Sequence, residues 1–195
     1  MFQKPPQNHI LNVVCHAKQQ HYKMKKAELE ELLKIKSADE LNTELITLFE
    51  NFKVVQDYFD LKYKSRTKTS ILKKYKKKID KAIYPDWEFN DGLNIDLVEE
   101  IIEGFSNITP QLNYQIELEL YALEAGNKCA NNMGGDYGED YYLYFEELFE
   151  QTLNKYKKVN ASQKITKRIE AILETAFDGY GHKDTLEDLW AEFKN

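Results

Sequence analysis

The fold class of this chain depends on residues 112–123, which read LNYQIELELYAL. Apolar side chains alternate there with the period of a β-strand, at Leu112, Tyr114, Ile116, Leu118 and Leu120. The spacing of Leu112, Ile116, Leu120 and Leu123 equally suits one face of a helix. The residues between these positions include Glu, Gln, Leu and Ala, which suit helices, and only Ile116 is β-branched. The segment is therefore predicted to be a helix that is buried on more than one side.

Helical periodicity also dominates on both sides of this segment. Apolar residues at spacings of three and four predict helices over 29–33, 41–52, 54–62, 71–83, 98–105, 145–156, 165–177 and 186–193. Ser37 with Glu40, and Asp184 with Glu187, have the spacing of helix-capping pairs. The 8 glycines and 4 prolines are too few for the turns of a many-stranded sandwich or barrel. The prediction is an all-α fold of seven to nine helices, arranged as an antiparallel bundle or a short α-hairpin solenoid.

The first 23 residues differ in composition from the rest of the chain. They contain Pro5, Pro6 and three of the four histidines, and they contain no acidic residue. They are predicted to form a mobile N-terminal tail and are a candidate for a dispensable extension. Residues 24–195 are predicted to form a single helical domain.

Charge is distributed unevenly along the chain. The net charge is −6, but residues 1–85 carry +8 and the remainder carries −14. Such a chain could bind itself, a charged protein or a polyanion. No segment has the pattern of a signal peptide or a membrane span, so a cytoplasmic location is expected. Cys15 and Cys129 have no metal-ligand spacing, and two free thiols are favoured over a disulfide.

Three blocks of sequence carry a resemblance to a known family. They are LLKIKSADELNTELITLFENFKVVQDYFDLKY at 32–63, LKKYKKKIDKAIYP at 72–85 and GYGHKDTLEDLWAEF at 179–193. Over residues 24–193 the chain resembles a family of small bacterial all-helical proteins known as a domain of unknown function. The resemblance implies an all-α fold and carries no catalytic residue, cofactor or binding site.

A lysine-rich helix is the first candidate functional feature. Residues 62–81 contain ten basic side chains and a single acid, Asp80. We define the lysine ridge as Lys73, Lys74, Lys77, Lys78 and Lys81, which recur at helical spacing. Such a ridge could bind the phosphates of a nucleic acid, with Tyr63 and Tyr75 as stacking faces, although Tyr75 lies on the apolar stripe and is expected to be buried. It could equally be a solvated face, or it could meet the acidic half of a neighbouring subunit.

The glycine-rich segment at 131–140, NNMGGDYGED, is the second candidate. Asp136, Glu139 and Asp140 could bind Mg²⁺ or Ca²⁺, because hard cations prefer clustered oxygens on a flexible loop. The segment matches neither an EF-hand nor a phosphate-binding loop. A plain helix connector, with acids favouring the next helix N-terminus, is the simpler interpretation.

His182 is the third candidate, with Asp184 and Asp178 close to it in sequence. A histidine paired with a carboxylate can act as a general base or contribute to a metal site. No nucleophile motif accompanies it, so a structural loop histidine is the simpler interpretation.

Three functions follow from these features. The favoured hypothesis is a non-enzymatic protein-interaction or self-association module with no cofactor and no membrane contact. The alternative is a nucleic-acid-binding protein that uses the lysine-rich helix at 71–83. The third is a metal-dependent enzyme that uses the 131–140 loop and His182.

Overall fold

The computed structural model describes residues 24–64, 68–84, 93–160 and 162–195, so the expectation for residues 1–23 lies outside the described residues. These residues contain nine helices and no strand, which confirms the all-α prediction. The helices are α1 (Lys26–Lys34), α2 (Ala38–Asn51), α3 (Lys53–Tyr63), α4 (Lys68–Ile83), α5 (Ile95–Ile108), α6 (Leu112–Met133), α7 (Glu139–Tyr156), α8 (Gln163–Glu174) and α9 (His182–Lys194).

Residues 112–123 lie in α6, a helix of 22 residues, as predicted. Ile116, Leu118 and Leu120 are fully buried, although Leu118 points to the opposite side of the helix from Ile116 and Leu120. The strand-like alternation arises because α6 packs against four other helices, α4, α5, α7 and α8. A helix covered on most sides needs apolar residues on most sides, and the helical period is then weak.

The chain divides into two compact units, with the boundary between Ile46 and Thr47. In the first unit, described from residue 24, lie α1 and most of α2. Ser37 and Glu40 form the predicted capping box: the Ser37 N–H donates to Glu40 Oε2 over 2.8 Å, and the Glu40 N–H donates to Ser37 Oγ over 3.3 Å. The expectation of one domain over 24–195 stays a prediction.

The second unit, Thr47–Asn195, contains the hydrophobic core. Its main packing contacts join helices that are one or two places apart in the chain: α3 with α4 and α5, α4 with α5 and α6, α5 with α6, α6 with α7 and α8, α7 with α9, and α8 with α9. That order is expected for a short stack of helical hairpins. The predicted apolar stripe of α4 is buried, including Tyr75 and Ile79.

Ion pairs connect α6 to three neighbouring helices. Arg168 of α8 binds both oxygens of Glu124, at 2.6 and 2.8 Å, and also Glu117, at 2.6 Å. Glu117 accepts a further bond from Lys76 of α4 at 2.7 Å. Glu119, which is 1% exposed, pairs with Lys155 of α7. These contacts fix the positions of α4, α7 and α8 around α6.

Two predicted boundaries are corrected by the structure. The 131–140 loop shortens to 134–138, because α6 continues to Met133 and α7 begins at Glu139. The predicted capping pair Asp184–Glu187 is wrong, because α9 begins at His182 and Gly181 in the left-handed conformation (φ 71°) occupies the cap. Asp184 lies inside the first turn.

Within the described residues, no helix combines the length and the apolar character that a membrane crossing requires.

Candidate interaction surfaces

The lysine ridge lies along the exposed side of α4. Together with Ser70, its five lysines line a shallow groove on that helix. Lys74 is half-buried and pairs at 2.5 Å with Asp57, a carboxylate that is 2% exposed. Lys78 lies 4.7 Å from the centre of the Tyr75 ring. The ridge is therefore present as predicted, although Lys74 is already neutralised by a carboxylate of α3.

The aromatic residues beside the ridge do not form a stacking platform. Tyr75 is 5% exposed and packs against Phe105, with ring centres 4.9 Å apart. Tyr63 is exposed, but its ring stacks on Phe59 at 5.9 Å. Stacking surfaces for successive bases are what single-stranded nucleic-acid binders provide, so the α4 surface fits that class poorly.

An acidic groove between α5 and α7 was not predicted from the sequence. We define it as Asp96, Glu99, Glu103, Asp140 and Glu147, all exposed carboxylates that line two adjoining depressions. No ion pair neutralises any of them within the described part of the chain. The helical spacing on α5 and α7 was visible in the sequence, but the proximity of the two helices was not.

Tyr144 lies in the middle of the acidic groove, in the lining of both depressions. Burial raises the pKa of Tyr144, and the carboxylates of Glu99, Glu119 and Glu103 raise it further. The phenol therefore stays neutral, and the groove presents a ring flanked by carboxylates.

The structure does not gather the predicted metal ligands Asp136, Glu139 and Asp140. Asp136 accepts a 3.0 Å hydrogen bond from Tyr180, whereas Asp140 lines the acidic groove. Across the described ranges, no three His, Cys, Asp or Glu side chains lie close enough together to hold a metal ion. The reason is geometric: Glu139 and Asp140 open α7, whereas Asp136 lies in the preceding loop and turns toward Tyr180.

His182 is buried and pairs with a carboxylate that is distant in sequence. Its Nδ1 lies 2.9 Å from Glu146 Oε1 of α7, whereas Asp184 and Asp178 are exposed. The Tyr142 ring packs against the imidazole with centres 5.0 Å apart. Burial lowers the pKa of His182, and the opposing effect of Glu146 is smaller. A neutral histidine here joins α9 to α7.

The stability of the protein is expected to depend on the protonation of His182. Because the folded-state pKa lies below the unfolded value of about 6.5, the unfolded chain takes up the proton first as the pH falls. The contribution of His182 to the free energy of unfolding should therefore be fully present above about pH 6.5 and be lost progressively at lower pH. Urea denaturation between about pH 7.5 and 5.5 measures this slope. His182→Gln should flatten it, and an unchanged slope in that variant would contradict the prediction.

Two of the three predicted features come together in the structure. Tyr142 donates a 2.6 Å hydrogen bond to the Gly135 carbonyl and also contacts His182. The glycine loop and the start of α9 are thus adjacent. The groove along the lysine ridge is lined by residues of α4 alone, and none of them belongs to this cluster.

Cys129 is buried beneath the same loop. Burial raises the pKa of its thiol, and its Sγ lies 3.4 Å from the Tyr137 hydroxyl. A buried, protonated thiol is a poor nucleophile. Cys15 lies outside the described residues.

The first unit displays apolar side chains that are not buried. Neither α1 nor α2 contains a buried residue. We define the apolar surface of unit 1 by its exposed leucine and isoleucine side chains, which are Leu29, Leu32, Leu33, Ile35, Leu45 and Ile46. Leu29, Leu32 and Leu33 lie on one face of α1, and contiguous exposed apolar side chains mark interaction surfaces.

No family model, curated protein or solved structure matches the chain. The resemblance over residues 24–193 therefore stays a prediction.

Proposed function

We propose that this chain is a non-enzymatic self-association module whose first unit docks onto a second copy of the chain. One observation carries the proposal: α1 and α2 have no buried residue, although both display large apolar side chains. The hydrophobic effect favours removing such groups from water.

The length of α1 strengthens the argument. A helix of nine residues is marginal in water, because few hydrogen bonds offset the cost of nucleating it. Tertiary packing of an apolar stripe supplies most of the stability of such a helix. Leu29, Leu32 and Leu33 form that stripe at spacings of three and four. We therefore expect α1 to be covered whenever it is helical.

A second copy is the partner that fits this requirement. A surface that needs constant covering suits a partner that is always present with the chain, and most soluble oligomers are symmetric homo-oligomers. The six partly exposed Leu and Ile side chains amount to on the order of 500 Å². That area is comparable to the apolar part of the roughly 800 Å² that each partner buries in a standard interface.

The other two functions have less support. Nucleic-acid binding is weakened by the engagement of Lys74 and the burial of Tyr75. An enzymatic role is weakened by the position of His182, which is paired with Glu146 and enclosed by Tyr142.

The proposal is tested by the mass of the full chain in solution as a function of concentration, measured by sedimentation equilibrium. The wild-type chain is expected to dimerise in the micromolar range, and the double substitution Leu32→Glu with Leu45→Glu is expected to weaken dimerisation at least tenfold. Glutamate in place of leucine puts a charge in a desolvated contact, which costs several kcal/mol. Both positions are exposed, so the helical content should stay unchanged.

Leu97→Glu is the matched control, because Leu97 is an exposed leucine of the second unit. It should leave dimerisation unchanged. A wild-type chain that stays monomeric, or a double variant that dimerises like the wild type, would overturn the proposal. A monomeric wild type that loses thermal stability on the double substitution would show that the apolar surface is covered within its own chain.

A further inference from the structure

Four lysines of the ridge have no carboxylate to neutralise them within the described residues. Lys73, Lys77, Lys78 and Lys81 are exposed and form no ion pair there, whereas Lys74 is held by Asp57. The one acid on this helix, Asp80, accepts a 2.6 Å hydrogen bond from Tyr121 of α6. The ridge is thus a concentrated positive surface on a chain of net charge −6.

We infer that the lysine ridge of one copy docks into the acidic groove of a second copy. The ridge positions 73, 77 and 81 lie about 6 Å apart along α4 and span about 12 Å. On the groove side, Glu99 and Glu103 follow Asp96 along α5, and that row spans about 10.5 Å. Asp140 and Glu147 form a row of equal length on α7. Positive and negative rows therefore match in length as well as in sign.

The groove also suits the aliphatic part of a lysine. Tyr144 lies on α7 between Asp140 and Glu147, and Leu143 and Ile95 line the same depression. Lysine stems cover apolar surface while their ammonium groups remain near charges or water. An ammonium over the Tyr144 ring would gain a cation–π contact as well. The groove therefore offers contacts that a merely acidic surface lacks.

The lysine ridge and the acidic groove of one chain lie on different helices. The ridge groove is lined by α4, and the acidic depressions are lined by α5, α7 and the residues next to them, with no residue in common. Complementary surfaces on separate parts of one chain meet by head-to-tail association of two copies.

An acidic protein surface fits the ridge better than a nucleic acid does. Residues 86–195 carry a net charge of −14, which repels a polyanion but attracts the lysine ridge of another copy. The ridge contains no arginine, the residue most used for reading bases. Of the two stacking tyrosines that the sequence suggested, Tyr75 is buried, and the ring of Tyr63 is stacked on Phe59.

The ridge–groove contact is distinct from the apolar contact of unit 1, and it does not depend on it. The two contacts respond differently to salt. Charge pairs at a surface weaken as the Debye length shortens, whereas apolar contacts do not. Association is therefore measured at about 50 and 300 mM NaCl. Loss of the salt-sensitive part indicates failure of the ridge–groove contact, and loss of the salt-insensitive part indicates failure of the apolar contact.

Charge exchange between two full-length variants tests the inference. The ridge variant carries Lys73→Glu, Lys77→Glu and Lys81→Glu, and the groove variant carries Glu99→Lys, Glu103→Lys and Glu147→Lys. Each variant alone should lose the salt-sensitive association, because its ridge and groove then have the same sign. An equimolar mixture should regain it, at least tenfold tighter than either variant binds itself, since opposite charges meet across the two variants. The readout is sedimentation velocity with one variant fluorescently labelled.

A third variant controls for net charge. Lys128→Glu, Lys158→Glu and Lys167→Glu change the charge by the same amount as the ridge variant, at exposed positions elsewhere on the second unit. This variant should associate like the wild type. All substituted positions are exposed, and circular dichroism checks that each variant is folded. Replacement of the three ridge lysines by glutamine gives a milder variant that should also weaken association.

A mixture that binds no more tightly than its separate variants would overturn the inference. The same variants test nucleic-acid binding with a 20-nucleotide poly-uridine RNA. If the wild type binds this RNA, the ridge variant does not, and the mixture shows no association, the ridge is assigned to nucleic acid instead.

Discussion

Replacement of Lys155 by methionine is expected to lower the free energy of unfolding by about 3 kcal/mol. Lys155 is the charge partner of Glu119, which is 1% exposed on α6. Apart from Lys155, Glu119 has a hydrogen bond to Thr152 Oγ1 at 3.2 Å, and that hydroxyl also donates to the Leu148 carbonyl at 2.7 Å. The substitution would therefore leave the buried Glu119 carboxylate with one shared donor, the Thr152 hydroxyl. The cost of an unpaired buried charge is large.

The reverse substitution is expected to cost much less. Glu119→Leu leaves Lys155 without a partner, but the Lys155 side chain is 24% exposed and can turn its ammonium toward water. The double variant Glu119→Leu with Lys155→Met should be close to the wild type, because replacing both members of a buried pair by apolar groups is often neutral.

Chemical denaturation of the wild type, the two single variants and the double variant measures this cycle. Lys167→Met, at an exposed position on α8, is the surface control and should change stability by less than about 0.5 kcal/mol. Equal losses in the two single variants would contradict the account, because the two charges would then be equally buried.

The second large effect is expected from Gly126→Ala in the middle of α6. A methyl group at this position would lie 2.5–2.8 Å from three ring atoms of Phe145. Phe145 is buried on α7, and the rings of Tyr141 and Tyr144 contact it at 4.9 and 5.2 Å, so the ring has little room to move. Overpacking of this kind costs about 1–3 kcal/mol, more than the gain from alanine in a helix. A net loss of about 2 kcal/mol follows.

Gly104→Ala is the matched control for this prediction. Gly104 also lies inside a helix, α5, and a methyl group there would have no neighbour within 4 Å. The same substitution should therefore stabilise the protein by about 0.5–1 kcal/mol. Thermal and chemical denaturation should show that Gly126→Ala lowers the stability and Gly104→Ala raises it. Phe145→Leu combined with Gly126→Ala should cost less than the sum of the two single changes, and full additivity would contradict it.

The prediction of the helices from the sequence succeeded where the signal is local. The stripe of α4 and the capping box at Ser37 depend on residues three or four apart, and both are confirmed. The strand-like alternation at 112–123 was resolved by composition, because Glu, Gln, Leu and Ala favour a helix. Boundaries at glycines were predicted less well: Gly181 moved the start of α9 to His182.

The candidate sites were harder to predict, because their partners lie far away in the chain. His182 was expected to pair with nearby Asp184 or Asp178, yet its partner is Glu146, 36 residues away. Asp57 neutralises Lys74 across 17 residues, which no local pattern reveals. The acidic groove needs α5 and α7 to lie side by side, although α6 separates them in the chain.

The amino-acid order thus dictates that the chain is helical, where most of its helices run, and that one of them carries a lysine ridge. Helical period and propensity act over one or two turns, so they can be read directly from residues. Which lysines are neutralised, which histidine is buried, and which carboxylates share a groove depend on how α6 is surrounded. Those contacts arise from close packing between distant segments, where burial and ion pairing are decided together.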